Sequence, residues 1–372
     1  MDFQPTDLQR SVADLADRLL RDAAGEGRSI AALDTARWYD AALHQQFADS
    51  GLYGIGVPEA LGGSGLGMRE ACSVLERIGA HGGRVPFLSN VVLAAMPLAR
   101  FGRSARQSDV ARRIASGSLC ATAALDEPAM ETPFGLATSA VRSGDGFLLS
   151  GIKTSVSAGM MADFVLVPAR MEDGESGLFL VDVTSPGVAR ELQVSADGSP
   201  EALLTLDAVP VAGDMVLGGE AERASVLDWI VQRARVAVAA CQLGAARRAL
   251  GITAEWVNQR EQFGRSLASS PMVALRAADV YIAIEALRLT MWHAADLLAA
   301  DIPAPDEASS AKYWASEVGS LTAATTHLLQ GGIGVVMESE LPWLTLRQRH
   351  LEFQFGAARQ QLAEMGARLA AA

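Results

Sequence analysis

The sequence has few of the residues that mark metal binding, export or nucleic-acid binding. It contains three cysteines in 372 residues, Cys72, Cys120 and Cys241, an odd number without the close spacing of a metal site. We therefore expect a reducing, cytoplasmic location and no bound metal. The net charge is -12 and no run of Lys or Arg offsets it, so the chain is expected to bind neither nucleic acid nor an anionic membrane surface.

Long apolar runs and aromatic residues are also scarce. No stretch reaches the roughly 18 uninterrupted apolar residues of a membrane span, and the N-terminus has no apolar run typical of a signal peptide. Aromatic residues make up 6% of the chain while half of it is hydrophobic, mostly Ala and Leu, which favours helices over a β-sandwich. Since the chain exceeds the usual size of one hydrophobic core, we expect two or three packed units.

Hydrophobic periodicity divides the chain into three segments. Residues 1–118 are predicted to form an N-terminal helical domain, interrupted by a glycine-rich loop at 54–67. Residues 119–218 alternate apolar and polar side chains and are predicted to form a middle β domain, with hairpin turns at 143–146 and 172–174. Residues 219–372 are predicted to form a C-terminal helical domain, with long helices over about 223–260, 271–299 and 307–329. The predicted fold class is mainly α with a central β domain.

Five motifs, in this order, resemble the acyl-CoA dehydrogenase family over essentially the whole chain. They are GLYGIGVPEALGGSGLG (51–67), GDGFLLSGIK (144–153), RVAVAACQLGAARRAL (235–250), NQREQFGRS (258–266) and QGGIGVVMESEL (330–341). The resemblance implies a β-barrel or sandwich between an N-terminal helical domain and a C-terminal four-helix bundle. It also implies FAD as cofactor, an acyl-CoA substrate, electron-transfer flavoprotein as the electron acceptor, and a dimer or tetramer of like or unlike chains.

The motif Arg260–Gly264 carries the clearest cofactor signal. An arginine can pair with a phosphate through two hydrogen bonds, a phenylalanine offers a flat apolar face, and a glycine lets a helix end. In the glycine turn at 331–334, a helix N-terminus would favour an anion. The resemblance implies FAD contacts for Arg260, Gln262, Phe263, Gly331, Gly332, Gly334 and Ser157. It also places Arg235 near the acyl-CoA pocket.

The catalytic glutamate is absent from the three positions where members of the family place it. These positions hold Phe355, Ala234 and Cys241. A positioned base of this kind contributes on the order of 10²–10⁴-fold to the rate, so its loss is severe. Glu352 precedes Gly356 by about one helical turn and is predicted to be solvated or salt-bridged rather than catalytic. Cys241 is predicted to be a buried packing residue.

The residues expected beside the flavin ring depart further from the family. Ser155 stands where the family has a flavin-facing tryptophan, Asp126 stands where it has a threonine, and Leu328 stands where it has a glutamine. The residues expected around the adenine and pyrophosphate of FAD therefore match the family's pattern better than those expected around the flavin ring.

Four hypotheses follow from this pattern. The preferred one is the subunit of a heteromeric acyl-CoA dehydrogenase that lacks the glutamate and adds cofactor contacts to FAD bound mainly by its partner. A second is a homomeric dehydrogenase whose base is an unmatched acid such as Asp126 or Glu352. A third is a scaffold or binding protein of this fold without flavin, and a fourth is another flavin chemistry, such as that of oxygenases or nitroalkane oxidases.

Overall fold

The computed structural model describes residues 4–25, 39–128 and 136–371, which form two compact units. The helical unit comprises the described parts of Met1–Leu33, Met68–Arg84 and Arg235–Ala372. The mixed unit comprises the described parts of Asp34–Gly67 and Val85–Ala234. The division into domains 1–118, 119–218 and 219–372 stays a prediction about segments of the chain.

The helices have the following bounds in chain order. They are α1 (Asp7–Gly25), α2 (Ala41–Asp49), α3 (Met68–His81), a π-helix (Leu88–Ala95), α4 (Met96–Phe101), α5 (Ala105–Ala115), α6 (Arg223–Gln259), α7 (Pro271–Ala299), α8 (Pro305–Gln330), α9 (Leu341–Phe353) and α10 (Ala358–Ala371). Helix α6 has 37 residues, close to the length predicted from its lack of turn-forming residues. The predicted helices at 271–299 and 307–329 are confirmed as α7 and α8.

Helices α3 and α6 of the helical unit cross at two glycines. A Cβ atom on Gly79 would lie 1.9 Å from the carbonyl oxygen of Cys241, and one on Gly244 would lie 1.8 Å from that of Glu76. Since real Cβ atoms do not approach so closely, the two backbones can meet here only because both residues are glycine. Arg247 then pairs with Glu76 at 2.6 Å across the same crossing.

The strands of the mixed unit form one sheet. Their bounds are β1 (Ala121–Ala123), β2 (Ser139–Ser143), β3 (Gly146–Ser157), β4 (Phe164–Met171), β5 (Ser176–Asp182), β6 (Val188–Val194), β7 (Pro200–Ala212) and β8 (Val216–Leu217). The order is β6-β7-β3-β2-β4-β5-β8, with β1 paired to β4. Antiparallel β2–β3 and β4–β5 pairs confirm both predicted hairpins, and Gly144 and Gly174 adopt the positive φ that such tight turns require.

Strand β3 is irregular near its end. The register between β3 and β7 shifts between Lys153 and Val156, and Ser155 within this bulge has a φ of 51°. The side chain of Gln193 accepts from the backbone N–H of Ser155 at 2.9 Å. A side chain from β6 therefore replaces a ladder bond that the bulge removes.

The π-helix between α3 and α4 turns two consecutive polar residues toward the sheet. Ser89 donates from Oγ to the carbonyl of Ser157 at 3.4 Å, and Asn90 accepts from the backbone N–H of Ala121 at 3.0 Å. A π-helix has a wider turn than an α-helix and is usually found where side-chain placement matters. Periodicity alone predicted ordinary helix in this region.

Candidate functional site

The predicted cofactor motif lies on an exposed hairpin of the helical unit. Strands β9 (Glu261–Gln262) and β10 (Arg265–Ser266) pair antiparallel, with Phe263 and Gly264 at the tip. Phe263 is 100% exposed and has a φ of 54°, which non-glycine residues adopt rarely. The prediction that Gly264 ends the helix was wrong, because α6 ends at Gln259 and Gly264 forms the hairpin turn with a φ of 74°.

The glycine turn follows the C-terminus of a helix. Helix α8 ends at Gln330, and Gly331–Val335 form a single tight turn in which Gly331 has a φ of 65°. The suggested helix N-terminus at this turn was therefore wrong, since α9 begins only at Leu341. A Cβ atom on Gly331 or Gly332 would meet no atom within 4 Å, so both backbones are open.

The residues of the hairpin and of the glycine turn lie on the surface of the helical unit, where they can contact a ligand that is not buried within this unit. Arg260 and Gln262 are exposed beside Phe263, and Gly331 and Gly332 are exposed as well. Gly334 is the buried member of the turn. The backbone N–H of Gly331 already donates to the carbonyl of His327, so this turn offers an exposed, side-chain-free backbone rather than a free amide of Gly331. A guanidinium, an aromatic face and such an exposed backbone can recognise phosphates and a flat heterocycle.

Arg235 is buried in the helical unit, where each nitrogen of its guanidinium is bonded. Nε donates to the carbonyl of Phe355 at 3.3 Å, Nη1 to Ser309 Oγ at 3.2 Å, and Nη2 to Glu364 Oε1 at 2.7 Å. Gln361 adds a bond from Nε2 to the same Phe355 carbonyl at 3.2 Å. In this structure Arg235 therefore holds the turn between α9 and α10.

All three positions where the family places its base are buried. Phe355 is 6% exposed with a φ of 54°, and its carbonyl is held as described above. Ala234 is fully buried in α6. Cys241 is buried where α3 crosses α6, as predicted for a packing residue, and Arg347 Nη2 lies 4.0 Å from its sulfur.

Glu352 is salt-bridged, as predicted. Its Oε2 accepts from Arg349 Nη1 at 2.5 Å, one turn earlier in α9. Burial raises the pKa of this carboxyl group, although Arg349 and Lys312 act in the opposite direction. The carboxylate of Glu352 is therefore engaged in an ion pair within α9.

Lys312 is a buried cation that sequence reasoning missed. Its Nζ donates to the backbone carbonyl of Glu352 and to Ser316 Oγ, both at 2.8 Å. Burial, followed by repulsion from Arg235, lowers the pKa of Lys312 to about 7. The available signal was a lone lysine among the buried alanines of α8, Ala308, Ala311 and Ala315.

Ser157 lies at the end of β3 in the mixed unit, where its carbonyl is bonded twice. Thr122 Oγ1 donates to it at 2.8 Å, in addition to Ser89. Nearby, Lys153 Nζ forms a fully buried ion pair with Glu127 Oε1 at 2.6 Å, a second feature that sequence reasoning missed. Glu127 also accepts from the backbone N–H groups of Ala137 and Thr138, so it joins the start of β2 to β3.

No helix within 4–25, 39–128 and 136–371 has the length and hydropathy that crossing a membrane requires. In the same residues, no group of three or more His, Cys, Asp or Glu side chains is arranged to hold a metal ion.

Comparison with known proteins gives consistent matches along the chain. The family descriptions "Acyl-CoA dehydrogenase, N-terminal domain" and "Acyl-CoA dehydrogenase, C-terminal domain" match residues 6–118 and 225–372. Acyl-CoA dehydrogenase FadE27 of Mycobacterium tuberculosis is 34% identical, and the match covers 100% of this chain and 99% of the relative. Benzylmalonyl-CoA dehydrogenase of Aromatoleum aromaticum is 28% identical over 91% of each chain.

Solved structures give the same result. A chain of the ChsE4-ChsE5 complex from Mycobacterium tuberculosis matches with a TM-score of 0.92 and 34% identity, over 100% of this chain and 99% of that one. A chain of the Tcur3481-Tcur3483 steroid ACAD matches with a TM-score of 0.90 and 35% identity, over 98% and 99%. The chain therefore belongs to the acyl-CoA dehydrogenase family, whose members are FAD-dependent oxidoreductases acting on CH–CH bonds.

Proposed function

We propose that this chain is the subunit of a heteromeric acyl-CoA dehydrogenase that lacks the catalytic base. In that assembly it supplies cofactor contacts to FAD held mainly by an unlike partner chain, which carries the glutamate. The enzyme converts an acyl-CoA thioester to the 2,3-enoyl-CoA and passes electrons to an electron-transfer flavoprotein. Two similar structures, the ChsE4-ChsE5 and Tcur3481-Tcur3483 proteins, are named for pairs of chains, which supports this assignment.

The observation that carries the proposal is the lack of a carboxylate at Phe355, Ala234 and Cys241. An aromatic ring, a methyl group and a thiol cannot remove a proton from a carbon next to a thioester as a carboxylate does. All three side chains are buried, so water has little access to stand in for the missing acid. Glu352 is a weak substitute, because Arg349 already binds its carboxylate.

The proposed roles of the remaining residues are binding and positioning. FAD, when bound, supplies the hydride-accepting ring of the family's chemistry. Arg260 binds a phosphate group, Phe263 packs against a flat part of the cofactor, and the exposed backbone at Gly331 and Gly332 approaches its polar edge. Ser157 donates a hydrogen bond to a flavin ring facing β3. Arg235 holds the turn that carries Phe355.

An exposed apolar surface supports the need for a partner chain. The first three turns of α7, Pro271–Ile282, directly follow the cofactor hairpin and expose Met272, Leu275, Tyr281 and Ile282. Tyr281 and Ile282 are 59% and 66% exposed. Large apolar side chains at this density on a surface helix are typical of an interaction surface.

Separate and joint purification tests the proposal. The chain is expressed alone and together with whatever chain is encoded beside its gene, and flavin absorbance and reduction by acyl-CoA are measured for each. We expect little or no reduction with the chain alone and full reduction with the pair, at one FAD per pair of unlike chains. Complete turnover by the homomer would refute the proposal, and a colourless pair that cannot be reconstituted would indicate a scaffold without flavin.

Variants of the hairpin test the cofactor contacts. Arg260→Ala and Phe263→Ala are expected to leave the thermal stability of the isolated chain unchanged, because both side chains are exposed. Each should raise the dissociation constant of the pair for FAD by about tenfold, equivalent to the loss of one charge-assisted or stacking contact. Val194→Ala, on exposed β6, is the matched control. Equal dissociation constants for all three variants would rule out these contacts.

A further inference from the structure

A cavity of about 410 Å³ lies in the helical unit between α1, α3, α6 and α7. Its volume is within the range of sites that bind small molecules. The described residues that line it come from 4–14, 69–77 and 285–296, together with Arg247. All of them differ from the residues assigned above to the cofactor and to the acyl-CoA pocket, so the contacts in this cavity need an explanation of their own.

Most of the charged side chains of the cavity are paired with one another. Arg247 donates to Glu76 at 2.6 Å and to Glu285 at 3.3 Å. Arg288 donates to the same Glu285 at 2.7 Å. These two arginines and two glutamates compensate each other, so this part of the wall attracts neither an anion nor a cation strongly.

Two charged side chains of the cavity have no such partner. Arg77 is half-buried on α3 and Asp14 is exposed on α1, and neither forms a hydrogen bond or an ion pair within the described part of the chain. The two residues face each other across these helices, because about one turn later His81 of α3 bonds Asp17 of α1 at 2.8 Å. A guanidinium and a carboxylate that face each other beyond ion-pair distance leave room for a ligand with one charge of each sign.

The opposite end of the cavity holds an ion pair without a hydrogen bond. Arg69 lies about 12 Å from Arg77 along the axis of α3. Its Nε is 3.0 Å from Asp296 Oδ1, yet both buried atoms lack a hydrogen-bond partner among the described residues. An unsatisfied buried donor and an unsatisfied buried acceptor are unfavourable. A hydroxyl group can accept from the one and donate to the other.

An indole ring lies between these two ends. Asp296 of α7 contacts Arg69 near the start of α3. Glu285, three turns earlier in α7, bonds the same arginine as Glu76, later in α3, so the two helices run antiparallel. Trp292 lies between Glu285 and Asp296, is half-buried and lines the cavity. An indole ring packs well against another aromatic ring.

From these observations we propose that the cavity binds an amino acid with a hydroxylated aromatic side chain, of which tyrosine is the simplest. Its carboxylate pairs with Arg77 and its ammonium group with Asp14. Its ring packs against Trp292, and its hydroxyl group bonds Arg69 Nε and Asp296 Oδ1. Such a ligand is electrically neutral overall, which fits a cavity whose remaining charges are already paired.

Calorimetric titration of the purified chain with tyrosine and three analogues tests the proposal. We expect tyrosine to bind with a dissociation constant below about 1 mM. Phenylalanine lacks the hydroxyl group, tyramine lacks the carboxylate, and 3-(4-hydroxyphenyl)propionate lacks the ammonium group. Each analogue should bind at least about tenfold more weakly than tyrosine. No binding of tyrosine up to its solubility limit, or equal binding of any analogue, would overturn the proposal.

Substitutions at the two unpaired charges test which residues hold the ligand. Arg77→Gln and Asp14→Asn should each raise the dissociation constant for tyrosine at least about tenfold. Both should leave the thermal stability of the unliganded chain unchanged, because neither side chain loses a partner within the described part of the chain. Arg18→Gln, at an exposed arginine of α1 outside the cavity, is the matched control.

Tyramine separates a direct contact of Arg77 from a general disturbance of the cavity. Since tyramine has no carboxylate, it should bind the wild type and Arg77→Gln equally. Equal dissociation constants for tyrosine in all three variants, or a loss of tyramine binding that matches the loss of tyrosine binding, would contradict the assignment.

Discussion

Arg235 Nη2 and Glu364 Oε1 lie 2.7 Å apart, which joins the longest helix of the chain to its last helix. The same guanidinium bonds the carbonyl of Phe355, so one arginine fixes both the position of α10 and the turn where the family carries its base. This relationship makes Arg235 primarily a structural residue in this chain.

Arg235→Met is therefore expected to destabilise the protein strongly. The substitution leaves the Phe355 carbonyl with only its bond from Gln361, and the Glu364 carboxylate with only Arg368 at 3.8 Å. The expected cost is about 2–4 kcal/mol, less than for a fully buried pair because Glu364 is partly exposed. The free energy of unfolding is measured by urea titration. Arg248→Met, which breaks the exposed pair with Glu340 on the same helix, is the control and should cost below about 1 kcal/mol. Equal losses would contradict the structural role.

Lys312 is expected to give stability a distinctive pH dependence. Its pKa is about 7 in the folded chain against an ordinary value of 10.5, so the unfolded chain binds more protons between these two pH values. Stability therefore rises with pH in this window, by up to about 1.4 kcal/mol per pH unit from this group. Subtracting the values for Lys312→Met removes the contributions of other groups. Parallel curves for the two proteins from pH 7 to 9.5 would show that Lys312 does not titrate in this range.

Glu127 and Lys153 are expected to depend on each other. Glu127→Gln leaves the buried Lys153 ammonium without its carboxylate and should cost about 3–5 kcal/mol of the free energy of unfolding. Burial would raise the pKa of Glu127, but the bonds from Lys153, Thr138 and Ala137 lower it overall, so this contribution is lost as pH falls through that lowered pKa. The double variant Glu127→Gln with Lys153→Met should recover part of the loss. Additive losses in a double-mutant cycle would disprove the coupling.

Two glycines of α6 are expected to respond oppositely to the same substitution. Gly244→Ala forces a methyl group to within 1.8 Å of the Glu76 carbonyl and should destabilise the crossing of α3 and α6 by about 1–3 kcal/mol or more. Gly251→Ala, two turns later, meets no atom within 4 Å and should stabilise the helix by about 0.5–1 kcal/mol. Thermal unfolding of both variants distinguishes them by the sign of the change.

Helices and hairpins could be predicted because local patterns determine them. The residues of α6 lack proline and strong turn formers over its whole length, and Gly144 and Gly174 mark the two hairpin turns. The exposed hairpin at Phe263 was predicted as the end of a helix. A glycine that ends a helix and a glycine in a hairpin turn cannot be distinguished from the local sequence.

Long-range bonds could not be predicted in this way. Arg235 bonds residues 74, 120 and 129 positions away, and no periodicity records such pairs. The local sequence around Lys153 and Glu127 gives no sign that both side chains are buried and paired in the folded chain. The three positions that lack the base were found from the order of the family motifs. The burial of Cys241 was predicted from its residue type, whereas the burial of Phe355 and Ala234 is evident only from the structure.

The π-helix at Leu88–Ala95 has a consequence for how relatives of this chain evolve. A π-helical turn contains one residue more than an α-helical turn, so an ordinary α-helix that replaced this segment would be one residue shorter. Removing a single residue here would keep a helix but rotate Ser89 and Asn90 away from Ser157 and Ala121. A one-residue gap in this stretch would therefore remove both contacts. A relative with that gap would need other contacts to hold the end of β3.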